Sequence, residues 1–324
     1  MNDIVTLDYG SGGKKTSQLI EKYILPNFGN EALNSLGDGA QLGELAFSTD
    51  SFVVNPLFFP GGDIGKLAVC GTVNDLAMCG AKPLYLSCAL ILEEGLSFEI
   101  LERVLASMRK AATEADVEIV TGDTKVVEKG RGDGLYINTS GIGRIRHRLP
   151  GLAGIRPGDA VVVSGTVGDH GTAVMLARDE LMRSELKSDC APLHVLTEAM
   201  LSSGAAVRIL RDPTRGGLAT TLNEFTEGRS YGIELEGDAV PVRPEVKAAC
   251  EMLGLDPLYC ANEGKLVAVC AAEDTGLLMK QMGPEAAVIG RVTDERPGRV
   301  ILRTPLGGRR VLQKLAGAQL PRIC

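Results

Sequence analysis

The stretch that most constrains the fold lies near the middle of the chain. Arg148-Leu149-Pro150-Gly151-Leu152-Ala153-Gly154-Ile155-Arg156-Pro157-Gly158-Asp159 is dense in proline and glycine. Proline fixes φ and removes a backbone donor, so neither a long helix nor a central strand runs through such a stretch. A chain of 324 residues is long enough for two domains of ordinary size. The break therefore predicts an N-terminal domain over 1–148, a C-terminal α/β domain over 149–315 and a short tail over 316–324.

Patterning on either side predicts the same class twice. In the first half, Leu45–Asp50 and Leu84–Leu92 read as strands, and Leu135–Ile145 alternates like another. Glu118–Thr121 reads as a short strand running into Gly122-Asp123-Thr124-Lys125. Ile64–Gly80 reads as a helix with Leu67, Val69, Val73, Leu76 and Ala77 inward, and Ser97 as the cap of a long helix through Ala115. In the second half, Ala160–Ser164 opens a new unit and Gly165–Gly171 is a turn. Helices follow over about 169–180 and about 192–203. Asp212-Pro213-Thr214-Arg215-Gly216-Gly217-Leu218 leads into a helix, and Lys265–Ala271 and Ala286–Val292 read as strands. Strand and helix alternate in both halves, which predicts an α/β (α+β) fold for each.

Composition excludes several functions. A net charge of -7 with no basic run argues against nucleic acid, whose phosphates demand clustered Lys and Arg. No apolar run approaches the ~18 residues of a membrane span, and the N-terminus does not read as a signal peptide. The eight cysteines form no C-x-x-C pair, so they read as small core residues of a cytoplasmic protein rather than a zinc or redox motif. The three histidines are scattered. His170, in Gly168-Asp169-His170-Gly171, either touches a nucleotide or caps a helix; the residues leave both open.

The chemistry gathers in short motifs. Gly10-Ser11-Gly12-Gly13-Lys14-Lys15-Thr16 runs into a helical pattern at Leu19, Ile20, Tyr23 and Ile24. It is not a Walker A loop, and it reads either as a phosphate cradle at Gly12, Gly13 and Lys14 or as a plain N-terminal turn. Asp38, Asp50, Asp75 and Asp123 each sit among small residues at a strand end or turn, and Asp212 opens a similar turn. One such aspartate alone reads as an Asx-turn or cap. Several together suggest convergence, and crowded carboxylates are ionised together only beside cations. Mg²⁺ takes oxygen ligands and bridges to phosphates, so the composite is a Mg–nucleotide site. The chain then ends in Cys324. A terminal thiol is either a frayed tail or a swinging arm that carries an acyl-type group. Pro321 stiffens that arm, and Arg322 favours the thiolate.

In this order the motifs carry a resemblance. Gly10-Ser11-Gly12-Gly13-Lys14, Gly37-Asp38-Gly39-Ala40, Ser48-Thr49-Asp50, Val73-Asn74-Asp75-Leu76-Ala77, Gly122-Asp123-Thr124-Lys125, Asp212–Leu218 and Asn262-Glu263-Gly264 resemble the superfamily that includes aminoimidazole ribonucleotide synthetase and selenophosphate synthetase. Selenophosphate synthetases carry Cys or selenocysteine in the N-terminal loop, where this chain has only Ser, Gly and Lys. With the terminal Pro321-Arg322-Ile323-Cys324, the nearest resemblance is to the HypE family, the carbamoyl dehydratases of hydrogenase maturation.

The resemblance implies an N-terminal domain that binds ATP and Mg²⁺ and pairs its sheet with that of a second copy, and a mobile tail. It implies that a carbamoyltransferase, HypF, loads a carbamoyl group on Cys324. ATP then drives dehydration of this S-carboxamide to S-cyanide, which passes to iron on a HypC–HypD scaffold for [NiFe]-hydrogenase. Catalytic roles then fall to Cys324, Glu263 and Lys125. Nucleotide contacts fall to Gly12, Gly13, Lys14, Asp38, Asp50, Asn74, Asp75, Asp123, Thr124 and Asp212, with Asp38, Asp50, Asp75 and Asp212 on the metal. Two alternatives stay open: a kinase or synthetase of the same superfamily with a small free substrate, and a non-catalytic nucleotide-binding scaffold.

Overall fold

The computed structural model describes residues 4–179, 184–317 and 322–324. An N-terminal arm begins with α1 (Lys14–Leu19), which continues through a π turn (Ile20–Ile24) into α2 (Leu25–Phe28). Then follow β1 (Ala40–Leu42), β2 (Leu45–Phe52), the two-residue strands β3 (Phe58–Phe59) and β4 (Gly62–Asp63), α3 (Ile64–Met78), β5 (Ala81–Glu93), α4 (Phe98–Glu114), β6 (Glu118–Val127) and β7 (Leu135–Ile145). Five strands form one sheet in the order β1-β2-β7-β5-β6, with β5 and β6 parallel across the α4 crossover.

After the Pro/Gly stretch come β8 (Ala160–Val163), α5 (Asp169–Asp179), α6 (His194–Leu201), β9 (Val207–Arg211), α7 (Gly217–Thr226), β10 (Gly232–Glu236), α8 (Pro244–Leu253), β11 (Val267–Cys270), α9 (Thr275–Met282), β12 (Ala287–Thr293), β13 (Val300–Arg303) and β14 (Arg309–Leu312). Seven of these strands form the second sheet, ordered β14-β13-β10-β12-β8-β11-β9. The expected helices and strands sit at α3 to α7 and at β2, β5 to β8, β11 and β12. Elements β9, β10, β13, β14, α8 and α9 lie beyond those expectations. The four strands are only four or five residues long, too short to display a period.

The central helix explains how the two halves hold together. α3 has no polar stripe: Leu67, Val69, Val73, Leu76 and Ala77 are fully buried. One side packs on the first sheet and α4, and another meets α6 and β9 of the second domain. Its first turn is capped by the Asp63 carboxylate, which accepts from the Gly65 and Lys66 amides. A Cβ on Gly65 would lie 2.5 Å from the Val104 carbonyl, so this glycine sets how closely α3 and α4 approach. α4 is amphipathic, with Val104, Met108, Ala111 and Ala112 inward and Ser97 capping the Ile100 amide.

Asn74 fastens α3 to the second domain. Its Nδ2 donates to the carbonyls of Ala191 and Glu263, both at 3.2 Å, and its Oδ1 accepts from the Leu193 amide at 2.8 Å. Among the described residues, nothing covers the opposite face of the first sheet at the row of Phe47, Ile142 and Tyr85. These three lie side by side across β2, β7 and β5. They are 42%, 40% and 46% exposed.

Asn74→Ala removes these hydrogen bonds and orphans their buried partners, at about 1–3 kcal/mol per unsatisfied group. A marked fall in the urea midpoint of the full chain is expected. An unchanged midpoint would mean that the domains are held together elsewhere.

Candidate active site

Three carboxylates meet where α3 faces the second domain. Asp38 comes from the bend before β1, Asp75 from the interior of α3, and Asp212 from the turn after β9. One oxygen from each lies within 4.8 Å of the others. Asp50 joins them from β2, on the same inward face as Ser48 and Phe52. The Ser48 hydroxyl donates to Asp75 at 2.5 Å, and the Arg211 guanidinium pairs with Asp38.

Electrostatics mark this cluster as unfinished. Burial, then the charges of Asp212, Asp38 and Asp50, push Asp75 well above the ordinary carboxylate range. Burial followed by Asp38 does the same to Asp212. Asp38 and Asp50 rise less, because Arg211 and Arg215 oppose burial there. Four crowded oxyacids are ionised together only with added positive charge. Oxygen donors alone suit a hard divalent cation, so the donor set fits Mg²⁺. A cleft of about 870 Å³ opens over Asp38, bordered by Gly37, Gly39 and Cys79.

Next to this cluster sit Glu263, Arg215 and the chain's last residue. Glu263 is 2% exposed, and its Oε1 has no hydrogen-bond partner among the described residues. Its amide donates to Asp189 Oδ1 at 3.1 Å while its carbonyl takes the Asn74 bond. Burial, then Asp212, Asp50 and Asp189, raise its carboxyl well above normal, and Arg215 opposes them. Gly264 is required beside it, because a Cβ would lie 1.8 Å from the Asp189 carbonyl. Arg215 precedes Gly216 and Gly217, both at positive φ, in the turn that opens α7. It feels Cys324 most strongly, then Asp50, Glu263 and Asp75.

The half-buried Cys324 is docked. The Val53 amide donates to its terminal carboxylate at 3.0 Å, and the Asn55 amide donates to the Arg322 carbonyl at 3.2 Å. Ile323 is buried in the first domain's core cluster. Burial pushes the thiol up, against the pull of Arg215, so the docked sulfur is neutral. The positive charge beside the sulfur is therefore Arg215, not the expected Arg322. The Arg322 guanidinium turns to Asp133 and the Val53 carbonyl. Pro321 and its neighbours from Ala318 lie outside the described residues.

Other expected site residues lie elsewhere. Gly12 and Gly13 serve close packing: a Cβ would meet Arg215 at 2.8 Å or the Leu315 carbonyl at 2.2 Å. The Gly12 amide is bonded to Thr16 Oγ1 and the Lys14 amide to Leu315, so neither is free for phosphate in this conformation. Asn74 is consumed by the domain joint. Asp123, Thr124 and Lys125 lie on the exposed strand β6. Asp123 and Lys125 pair with each other at 2.7 Å, and this bond with the Thr124 amide holds Asp123 below its ordinary range. Register places Asp123 beside Ala89, Asn138 and Ser51, on the open face and across the sheet from Asp50. Lys125 therefore does not reach Glu263 or Cys324 of its own chain. His170 neither caps a helix nor faces the acid cluster; it bonds to the tail. Arg215, Arg211, Ser48 and Asp189 escaped the sequence reading. Arg215 and Ser48 carried a signal, as members of the Asp212–Leu218 and Ser48-Thr49-Asp50 motifs.

The raised carboxyls give a signed prediction. Groups whose native pKa exceeds the unfolded value bind more protons in the native state, so metal-free stability falls as pH rises above the ordinary carboxylate range. Asp212→Asn should therefore raise the melting temperature of metal-free protein at pH 7, by an amount that shrinks towards pH 4. It should also abolish stabilisation by added MgCl₂. A lower melting temperature with an unchanged Mg²⁺ shift would contradict the cluster assignment.

The comparisons with known proteins agree with this geometry. Residues 31–145 match the AIR synthase related protein, N-terminal domain, and residues 156–303 match its C-terminal domain. The carbamoyl dehydratase HypE of Cupriavidus necator is 51% identical, over 99% of this chain and 95% of its own length. A crystal structure of a HypE–HypF complex contains a chain that is 47% identical with a TM-score of 0.88, covering 92% of this chain and 99% of that one. A HypE structure in complex with ATP is 49% identical with a TM-score of 0.82, covering 99% and 100%. Two α/β domains of the AIR synthase type, joined at a carboxylate cluster and closed by a C-terminal cysteine, place this chain in the HypE family of carbamoyl dehydratases.

Proposed function

We propose that the site dehydrates a carboxamide carried on the sulfur of Cys324 to an S-cyanide, using ATP, to supply cyanide for the iron of [NiFe]-hydrogenase. One observation carries the residue assignment: the docked sulfur feels both Glu263, whose buried Oε1 has no hydrogen-bond partner among the described residues, and a cation, Arg215, at the edge of an acid cluster.

The reaction needs a leaving group. The carboxamide oxygen attacks the γ-phosphorus and ADP departs, while one proton leaves the nitrogen. The resulting S–C(=NH)–O-phosphate gives up its second N–H proton to the departing phosphate as the C–O bond breaks, leaving S–C≡N and hydrogen phosphate. Asp38, Asp75 and Asp212, with Asp50 alongside, would hold Mg²⁺, which supplies positive charge against the polyphosphate. Glu263 accepts the first proton. Positive charge brought in beside the neighbouring aspartates would favour its carboxylate form, which can take up a proton. Arg215 sits where negative charge gathers on the transferring group. Ile323 is buried next to the docked, half-buried Cys324. A neutral carboxamide enters such a partly buried site more readily than a thiolate does.

The partners follow from the same chemistry. HypF, which the complex structure pairs with HypE, would load the carbamoyl group, and a HypC–HypD iron scaffold would receive the cyanide. The uncovered row of Phe47, Ile142 and Tyr85 suits pairing with the sheet of a second copy. Lys125 lies on that same face, so a role for it as a base requires a site shared between the two copies. Cysteines that are all free thiols suit a reducing cytoplasm. No helix among the described residues is long and apolar enough to cross a membrane.

Loss of Glu263 should separate loading from chemistry. Glu263→Gln should still accept a carbamoyl group from HypF but should cyanate Cys324 about 10²–10⁴-fold more slowly. Cys324→Ala should bind ATP and accept nothing. Mass spectrometry of the C-terminal peptide follows both steps. Normal cyanation in Glu263→Gln would remove Glu263 from the mechanism. ATP turnover of a free small substrate by Cys324→Ala would instead indicate a kinase, and nucleotide binding without any turnover would indicate a scaffold.

A further inference from the structure

We propose that His170 and Arg178, both on α5, are positioning residues that clamp the docked tail by its main chain, and that Ser188 sets the His170 tautomer for this task. The functional part of this inference rests on the dehydratase reading; the docking itself does not.

The hydrogen-bond directions are fixed by chemistry. His170 is fully buried, and its Nε2 lies 3.0 Å from the Ile323 carbonyl oxygen. A carbonyl only accepts, so Nε2 carries the proton. Nδ1 then holds a lone pair and lies 2.8 Å from Ser188 Oγ, whose hydroxyl must donate to it. Ser188 Oγ in turn accepts from the Cys190 amide at 3.0 Å. The relay leaves one tautomer: Cys190 N–H to Ser188, Ser188 O–H to Nδ1, Nε2–H to the tail. Phe59 meets the imidazole edge-on at 5.4 Å between ring centroids and holds its plane. Burial lowers the His170 pKa to about 4, so the ring keeps this neutral form at neutral pH.

Arg178 lies two turns along the same helix. Its Nη2 donates to the Arg322 carbonyl at 2.7 Å and its Nε to the Asn55 carbonyl at 2.8 Å. With the Val53 and Asn55 amides opposite, the last residues are held by backbone hydrogen bonds between the first domain's connector and the second domain's helix. The carbonyl groups of Arg322, Ile323 and Cys324 all accept a bond, and none of these bonds uses the Cys324 side chain. A clamp that grips only main chain makes no bond to the sulfur and does not depend on what the sulfur carries. One dock can therefore hold the thiol, the carboxamide and the cyanide in turn.

The test is the rate at which iodoacetamide labels Cys324 in the full chain, located by peptide mass spectrometry because Cys88 is also half-buried. Single-turnover dehydration and loading by HypF are measured on the same variants. Removing one buried hydrogen bond shifts the docked fraction by about tenfold. His170→Ala should label Cys324 about tenfold faster and dehydrate about tenfold more slowly, with loading unchanged. His170→Gln keeps a side-chain N–H donor and should recover most of both effects. Ser188→Ala, a small change, should give a several-fold effect in the same direction even if His170→Ala fails to fold. Unchanged labelling in Ser188→Ala and His170→Ala, or no recovery in His170→Gln, would overturn the clamp. Faster labelling in a protein whose wild type never dehydrates would overturn the dehydratase reading and leave the clamp standing.

Discussion

Negative charge crowded into a buried space is the constraint on which the structure turns. Asp38, Asp75 and Asp212 come from a bend, a helix and a turn in two domains, which Asn74 and Arg211 help to tie together. Left alone, such a cluster opposes folding, since each ionised carboxylate raises the cost of the next. The fold tolerates it by seating α3 in apolar contact on every side and by placing Arg211 and Arg215 at its margins. This unrelieved charge is what a cation-bound polyphosphate would neutralise. The repulsion within the cluster and its fit to a cation thus share a single origin.

The tail meets this cluster in a form suited to its cargo. A docked thiol beside Glu263 and the aspartates is held neutral, and a carboxamide or cyanide on the same sulfur is neutral as well. Charge therefore does not distinguish the three states of the tail inside the site. The charge that must be managed is the terminal carboxylate, and it is met by the Val53 amide. Because the grip is on the backbone and the reaction is on the side chain, docking and chemistry can change independently.

Much of this was legible in the residues. Strand periods and helix caps located α3, α4, β2 and β7 because each is long and carries its own signals, such as Ser97 before α4. The aspartates were legible as a group because each sits in a conspicuous motif. Their meeting was suggested by the number of such motifs and by the resemblance, since nothing local ties Asp38 to Asp212. What the residues did not show is the setting that tertiary packing gives them within one copy of the chain. Asn74 lies beside Asp75 in one motif, yet successive helix residues face different directions, and Asn74 meets the second domain. Asp123 and Lys125 share a motif with the nucleotide contacts, yet β6 turns them to the open face. The glycines at 12 and 13 relieve clashes with Arg215 and Leu315, which are distant in sequence. His170 was undecidable because its partner lies 153 residues away.

The central claim is that ATP makes the carboxamide oxygen a leaving group at Cys324. Loading the thiol with a carbamoyl group labelled with ¹⁸O and adding ATP for one turnover follows that oxygen directly. The account predicts that the label leaves in inorganic phosphate as Cys324 becomes S-cyanated. Label recovered in water, with unlabelled phosphate, would contradict it.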